Sequence, residues 1–350
     1  MIDLDERIVR TLRERAEGPV DADRLLVGAV ARGRTRVCRR RAAAGAALGV
    51  VALLGVGVAA GPVDRLPGLG PAIAPGRPGP AGASVPLVPP RVDAAPGAAV
   101  RPDLIGKDPT LLHIGLAPGG PRFLYWEVGG GKETARLDVG GWTVTVELTS
   151  VDMLRSSLAW NMPSLVGPAA NPYDGSVVHA NGPEGAPVWR RYWQPAPGVY
   201  AGASVTSPNQ QPLHDVAAAL RLDDAYGCAG PLRLDALPPG AQLSGCRVVA
   251  GTFPAAYAVM LDVSADEMMM WVELQYAGTN TTGRPTTNRT INGRPGYFDH
   301  QRERLELLDI PQVQLAATLI SDRRDFTEAE AGTVLTGARV AEHLDQPATW

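Results

Sequence analysis

Hydrophobic and polar positions change period twice along this chain of 350 residues. Near the amino end apolar residues keep helical spacing, with Leu4, Ile8 and Leu12 in one stripe and Leu25, Leu26 and Val30 in another. Ala42–Ala60 then forms 19 consecutive uncharged, apolar or small residues, within the roughly 17–25 that a helix needs to cross a bilayer. With Gly61 included, residues 42–61 are expected to be a transmembrane helix. Further on, short β-rich runs dominate: Leu111–Leu116, Phe123–Val128, Trp142–Val151, Val199–Thr206, Val248–Val263, Met268–Tyr276, Arg289–Phe298 and Val313–Ile320. Turn formers such as Asn171-Pro172-Tyr173-Asp174-Gly175 separate them. Two stretches return to helical period. Leu213, Val216, Ala217 and Leu220 follow Pro212, while Ala331, Val334, Leu335, Ala338 and Ala341 follow Thr327, whose Glu330 three residues on completes a capping-box pattern.

Composition divides these elements into regions. Gly61–Val100 holds 10 Pro, 7 Gly and no aromatic residue. Such a stretch buries too little apolar surface to offset its ordering entropy, so residues 62–100 read as a disordered linker. Phe123 is the first aromatic of the chain, which puts the folded core within residues 101–350. There the fold is expected to be α+β, a mainly antiparallel sheet with a few helices on one face. Two series run in parallel: Asn181-Gly182, Trp189 and Trp193, the strand at Val199–Thr206 and the helix from Leu213; then Asn292-Gly293, Tyr297-Phe298, the strand at Val313–Ile320 and the helix from Thr327. This suggests a two-fold internal duplication, with halves at 101–229 and 230–350.

Charge sets the topology. Residues 1–41, read as a short cytoplasmic helical segment, carry 11 Arg against 7 Asp and Glu, a net +4 that leaves −7 for the rest of a −3 chain. Arg32, Arg34, Arg36, Arg39, Arg40 and Arg41 precede the span, and Arg65 alone follows closely. The asymmetry predicts a single-pass cell-membrane protein, its amino terminus cytoplasmic and its carboxyl terminus extracellular. Gly45, Gly49, Gly57 and Gly61 fall at multiples of four, a small-residue stripe suited to a homodimer contact. The overall acidity, with pI near 6.0, argues against nucleic acid as a partner.

Cys228 and Cys246 form an even pair in the region expected outside the cell, where a disulfide is the predicted outcome. Catalytic patterns are missing. His113, His179, His214, His300 and His343 are scattered, and no GxSxG or HExxH occurs. No cofactor or metal site is expected. Gly129-Gly130-Gly131-Lys132 fails the phosphate-loop pattern at Trp126 and Glu133, and reads as a hairpin turn. The candidate ligand surface is Trp189, Arg190, Arg191, Tyr192 and Trp193, because aromatics interleaved with Arg can stack on flat ligands. On a strand Trp189, Arg191 and Trp193 would share a face, where the Arg stem could equally cover the rings at a core edge. Met268-Met269-Met270-Trp271 reads as core filling.

The Arg-rich start, single Ala/Gly/Val span, Pro/Gly stalk and outer α+β region together resemble uncharacterised actinobacterial single-pass membrane proteins, some of them anti-sigma-factor-like. The zinc signature of those anti-sigma factors, a His followed by Cys-x-x-Cys, is missing, since residues 1–41 contain no His and only Cys38. No functional residue is carried over. The expected function is a membrane-anchored extracytoplasmic binding or sensory protein without catalysis. Its rivals are a transmembrane regulator that holds a cytoplasmic protein through residues 1–41, and an extracellular enzyme whose site assembles only in space.

Overall fold

The computed structural model describes residues 87–150, 173–181, 186–278, 284–320 and 326–350. The expected cytoplasmic segment, the 42–61 span with its Gly45, Gly49 and Gly57 stripe, and most of the linker lie outside these residues. Among the described residues no helix is long and apolar enough to cross a membrane.

Among the described residues thirteen strands form one antiparallel sheet. In chain order the first six are β1 (Arg122–Gly129), β2 (Lys132–Val139), β3 (Trp142–Thr149), β4 (Asp174–Asn181), β5 (Pro187–Ala196) and β6 (Val199–Thr206), followed by helix α1 (Gln211–Ala219). The next seven are β7 (Gln242–Val249), β8 (Ala256–Ala265), β9 (Met268–Ala277), β10 (Arg289–Ile291), β11 (Arg294–Asp299), β12 (Arg304–Leu307) and β13 (Val313–Ile320), followed by helix α2 (Glu328–Thr336). Across the sheet the order is β10-β11-β12-β13-β9-β8-β7-β1-β2-β3-β6-β5-β4. Read outward from the β1–β7 seam, the two arms follow one plan: three strands in sequence, then the last strand of the set, then its predecessors. Both helices follow the strand that crosses back, and both pack on the same sheet face.

Strict alternation makes that face. On β3, Val144, Val146 and Leu148 are buried, while Thr143 and Glu147 point the other way. Register carries the apolar row across the second arm and over the seam: Leu261 on β8 pairs with Cys246 and Val272, Val272 with Ala317, which pairs with Leu305, and Cys246 pairs with Val128 of β1. Leu305 and Ile291 lie against Gly332 of α2, so this face is the core. The opposite face carries charge. One row of paired positions runs from Tyr297 through Glu306, Glu273, Arg247, Glu127 and Glu147 to Tyr192. Glu127 and Arg247 face each other at the seam and form an ion pair at 2.9 Å.

Several expected elements have different limits. Val248–Val263 is not one run: Gly251 and Pro254 break it into β7 and β8, because Pro has no N–H to give the ladder. Arg289–Phe298 is a hairpin turning at Asn292-Gly293, where both residues take positive φ. That hairpin joins β10 and β11, so Asn292-Gly293 is not the counterpart of Asn181-Gly182 between β4 and β5. Helix α2 stops at Gly337, and Ala338 enters a short strand, Ala338–Val340, instead of continuing it. Gly130-Gly131 is the expected β1–β2 turn, with positive φ at both residues. Order also begins before residue 101. Leu87 and Ala98 are buried, and Arg91–Pro96 is a strand that pairs with Asp224–Gly227, because the last part of the Pro-rich stretch has backbone partners available.

Candidate functional site

The Cys228–Cys246 bond is formed, with an S–S distance of 2.10 Å and Cα atoms 6.2 Å apart. It ties the segment after Asp224–Gly227 to the core face of β7. Trp126 on β1 reinforces the tie, its indole N–H donating to the Cys228 carbonyl at 2.9 Å. Backbone bonds from Gly227 to the Pro90 carbonyl and from Cys228 to the Thr110 carbonyl fix the same segment on its other side. Both sulfurs belong to buried residues. Such a bond persists in oxidising compartments, which fits an extracytoplasmic domain.

Beside this tie lies a cavity of about 460 Å³. Its floor is Leu243 of β7 and Leu261 of β8, on the core face. One wall is the short strand Leu232–Leu234, paired with Ala338–Val340, together with Leu237. Pro90–Val92, Leu111 and Trp350 complete the lining. Trp350 is seated by chemistry on three sides. Its ring meets Tyr257 at 5.4 Å and Phe253 at 6.3 Å, and its N–H donates to the His343 carbonyl at 3.0 Å. Gly230 takes φ +53, and a Cβ there would approach the indole to 2.8 Å, so only glycine leaves room for the ring. A concave, mostly apolar space of this size, with few polar groups, has the usual character of a small-molecule site.

Among the described lining residues, Arg91 and Arg233 carry ionisable side chains, and both are cationic. Arg91 pairs with Asp224 at 2.6 Å. On the neighbouring strand Arg339 is paired with Asp235. Arg233, exposed between buried Leu232 and half-buried Leu234, has no carboxylate partner among the described residues.

The five residues of the candidate ligand surface lie elsewhere, on β5, and do not converge. Trp189, Arg191 and Trp193 face α1, as strand alternation requires: they pair with Val205, Ala203 and Ala201, all buried. The Trp189 N–H donates to the Ser207 carbonyl at 3.0 Å; Arg191 reaches His214 of α1 at 3.3 Å and lies 5.5 Å from the Trp193 ring. Arg190 and Tyr192 turn to the opposite face, opposite Ser204 and Gly202. There burial raises the Tyr192 hydroxyl pKa. The Met run divides likewise: Met268 and Met270 join the core, while Met269 is exposed on the other face.

Two polar clusters escaped the reading of the sequence. His113 and Glu133 are wholly buried, their Nδ1 and Oε1 atoms 2.6 Å apart; Glu133 also accepts the backbone N–H groups of His113 at 2.6 Å and Gly106 at 3.3 Å. The carboxylate thus clasps the segment 106–113 onto β2. At the seam, Tyr125 donates to Glu127 at 2.5 Å and Arg247 to Glu127 at 2.9 Å. Burial would raise the Glu127 pKa, but Arg247 and the Tyr125 hydrogen bond outweigh it and hold the group below its ordinary value. Asp262 beside them is raised by burial, despite Arg247, and its Oδ1 is buried without a hydrogen bond. Among the described residues no three His, Cys, Asp or Glu side chains are grouped to hold a metal ion.

The cavity residues had one sequence signal: Leu232, Leu234, Leu237 and Leu243 are crowded between the two cysteines, with too little periodicity to place them in a strand or helix. Trp350, distant in sequence, had none.

No family model matches the sequence, and none of the curated proteins compared is similar to it. Among solved structures, MucB in complex with MucA(peri) is similar over 69% of this chain and 97% of that chain, at 11% identity and a TM-score of 0.23. Similarity at that level carries no argument about fold or function.

Proposed function

We propose that this chain is a membrane-anchored extracytoplasmic binding protein without catalysis, and that its outer domain holds an apolar ligand in the cavity beside Cys228–Cys246. The cavity is the observation that carries the reading: Leu234, Leu237 and Leu243, each only partly buried, offer a ligand apolar surface that the fold leaves unfilled. Burying such surface stabilises a complex by about 25 cal/mol per Å². The anchor at 42–61 and the arginines before it supply the topology, and the buried disulfide accords with an outer location. The repeated strand plan supports an internal duplication, in which β1–β6 with α1 and β7–β13 with α2 descend from one unit and β10 is an addition. The 101–229 and 230–350 halves divide between those sets.

The test uses the full chain in lipid nanodiscs and a neutral fluorescent apolar probe. Saturable binding above that of empty discs, abolished by Leu243→Trp at a partly exposed lining position, is the expected result. Equal signals from protein-loaded and empty discs would remove the binding role. Topology is tested separately with a reporter at the carboxyl end, which must be active outside the cytosol.

A further inference from the structure

We infer that residues 342–350 form a hinged lid on this cavity, turning at Ala341 and latched by the Trp350 ring. The inference concerns access to the cavity and goes beyond the question of what the cavity holds.

Position is the first argument. Six of the nine residues in this segment are exposed and none is buried, yet Trp350 belongs to the cavity lining. An outer segment that reaches the lining is part of the wall between cavity and solvent.

Bonding is the second. The segment follows the strand Ala338–Val340, and Ala341 makes its last backbone bond to the body of the domain, donating to the Pro231 carbonyl at 2.8 Å. Beyond that point, among the described residues, the backbone bonds are internal. Gln346 donates to the His343 carbonyl at 3.2 Å, Thr349 to Gln346 at 2.9 Å and Trp350 to Pro347 at 3.3 Å. The Trp350 indole N–H turns inward as well, to His343 at 3.0 Å. The segment can therefore swing away as one body and break none of these bonds. Pieces of chain with few buried contacts and no ladder bonds to their surroundings open at the lowest free energy.

The latch is the third. What holds the segment down is the Trp350 ring against Tyr257 and Phe253, with Leu344 packed at the edge of the core. Tyr257 is buried, and its hydroxyl has no hydrogen-bond partner among the described residues. An unmade hydrogen bond penalises the closed state, and water supplies it once the ring loses its cover. The other covering segments are fastened differently, one by buried Glu133 and one by the disulfide. This one is held by apolar contact alone, which can be released and remade.

The experiment follows thiol labelling in the full chain in lipid nanodiscs, with Cys38→Ser so that the only reactive thiol is an introduced one. Leu261→Cys places it in the lining at a residue 1% exposed, and Leu315→Cys places it in the core outside the lining at a residue 0% exposed. The thiol at 261 should react about tenfold faster or more, because the lid opens at less cost than the whole domain unfolds. Trp350→Ala should speed labelling at 261 by a further factor of about ten and leave 315 unchanged, while Trp350→Phe should keep most of the protection. Tyr257→Phe, which removes the unpaired hydroxyl, should slow labelling at 261 roughly threefold. A fixed wall would not respond to that change. Equal rates at 261 and 315, an equal rise at both on Trp350→Ala, or no slowing with Tyr257→Phe would each overturn the lid. The neutral apolar probe gives a second readout: Trp350→Ala should raise its association and dissociation rates together, whereas a rise in dissociation alone would make Trp350 a contact residue and also overturn the lid. If the thiol results hold and the probe fails to bind, the lid stands and the apolar-ligand reading falls.

Discussion

The two arms of the sheet follow one strand plan and close their buried faces differently. Aligned on the two-residue turns Gly140-Gly141 and Asp266-Glu267, Glu147 falls on Glu273, and Glu133 falls on Val259. In the first arm that core position is a carboxylate, satisfied by His113 and two backbone N–H groups, and it straps the 106–113 segment down. In the second arm the same position is apolar. There a disulfide fastens the covering segment, and beside it a cavity is left open. A shared topology therefore does not imply a shared role. Alternation sets which side of each strand is buried, and the few residues that fasten the covering segments set whether the space beneath is filled. The seam between the arms follows the same logic. The aligned residues Glu127 and Arg247 meet face to face, and opposite charges make an attraction where identical ones would repel.

Exchanging the fasteners is the most direct way to break the comparison. Glu133→Ala should cost about 3–5 kcal/mol, because it strips a buried imidazole and two buried N–H groups of their acceptor. The aligned Val259→Ala should cost roughly 2 kcal/mol, from lost apolar burial alone. Urea unfolding monitored by circular dichroism measures both, and equal losses would mean the two arms are closed alike. Next in size is the double change Cys228→Ala and Cys246→Ala. Releasing a loop with a sequence separation of 18 should remove about 3 kcal/mol and weaken binding of the apolar probe. Releasing the His113–Glu133 clasp should weaken probe binding as well, because the segment that it holds carries Thr110 and Leu111 of the cavity lining.

The helices sharpen the contrast at a smaller scale. Helix α2 has a complete capping box, in which Thr327 accepts from the Glu330 N–H and Glu330 accepts from the Thr327 N–H. Helix α1 starts at Gln210, whose side chain makes no cap. Thr327→Ala should cost about 1 kcal/mol, whereas Gln210→Ala should be close to neutral, both read from thermal midpoints. The smallest effect belongs to the seam. Burial raises the Asp262 pKa in the folded state, so ionising it costs stability as pH climbs past the ordinary carboxylate value, in full above the raised one. Asp262→Asn should therefore stabilise the protein at neutral pH, and the gain should vanish below about pH 3, where the carboxyl is protonated folded or unfolded. A gain that persisted in acid would point to a cause other than charge.

Read alone, the sequence determined whatever depends on local period and composition. Val199–Thr206 and Val313–Ile320 alternate cleanly and fold as strands with those limits. The Thr327–Glu330 pattern becomes a capping box, and two cysteines in a region expected outside the cell become a disulfide. Strands such as Lys132–Val139 and Arg304–Leu307 were obscure, because half their side chains are charged, most on the polar face and Glu133 in the core; only a neighbouring strand makes such a run extended. Tertiary structure decided the rest. Glu133 and His113 are 20 residues apart, and nothing local marks either as buried. The cavity brings Pro90, Leu111, Leu232, Leu261 and Trp350 together from one end of the described chain to the other, and a hollow is a property of how covering segments fail to meet. Period is written in neighbouring residues, whereas enclosed space depends on distances between residues far apart in the chain.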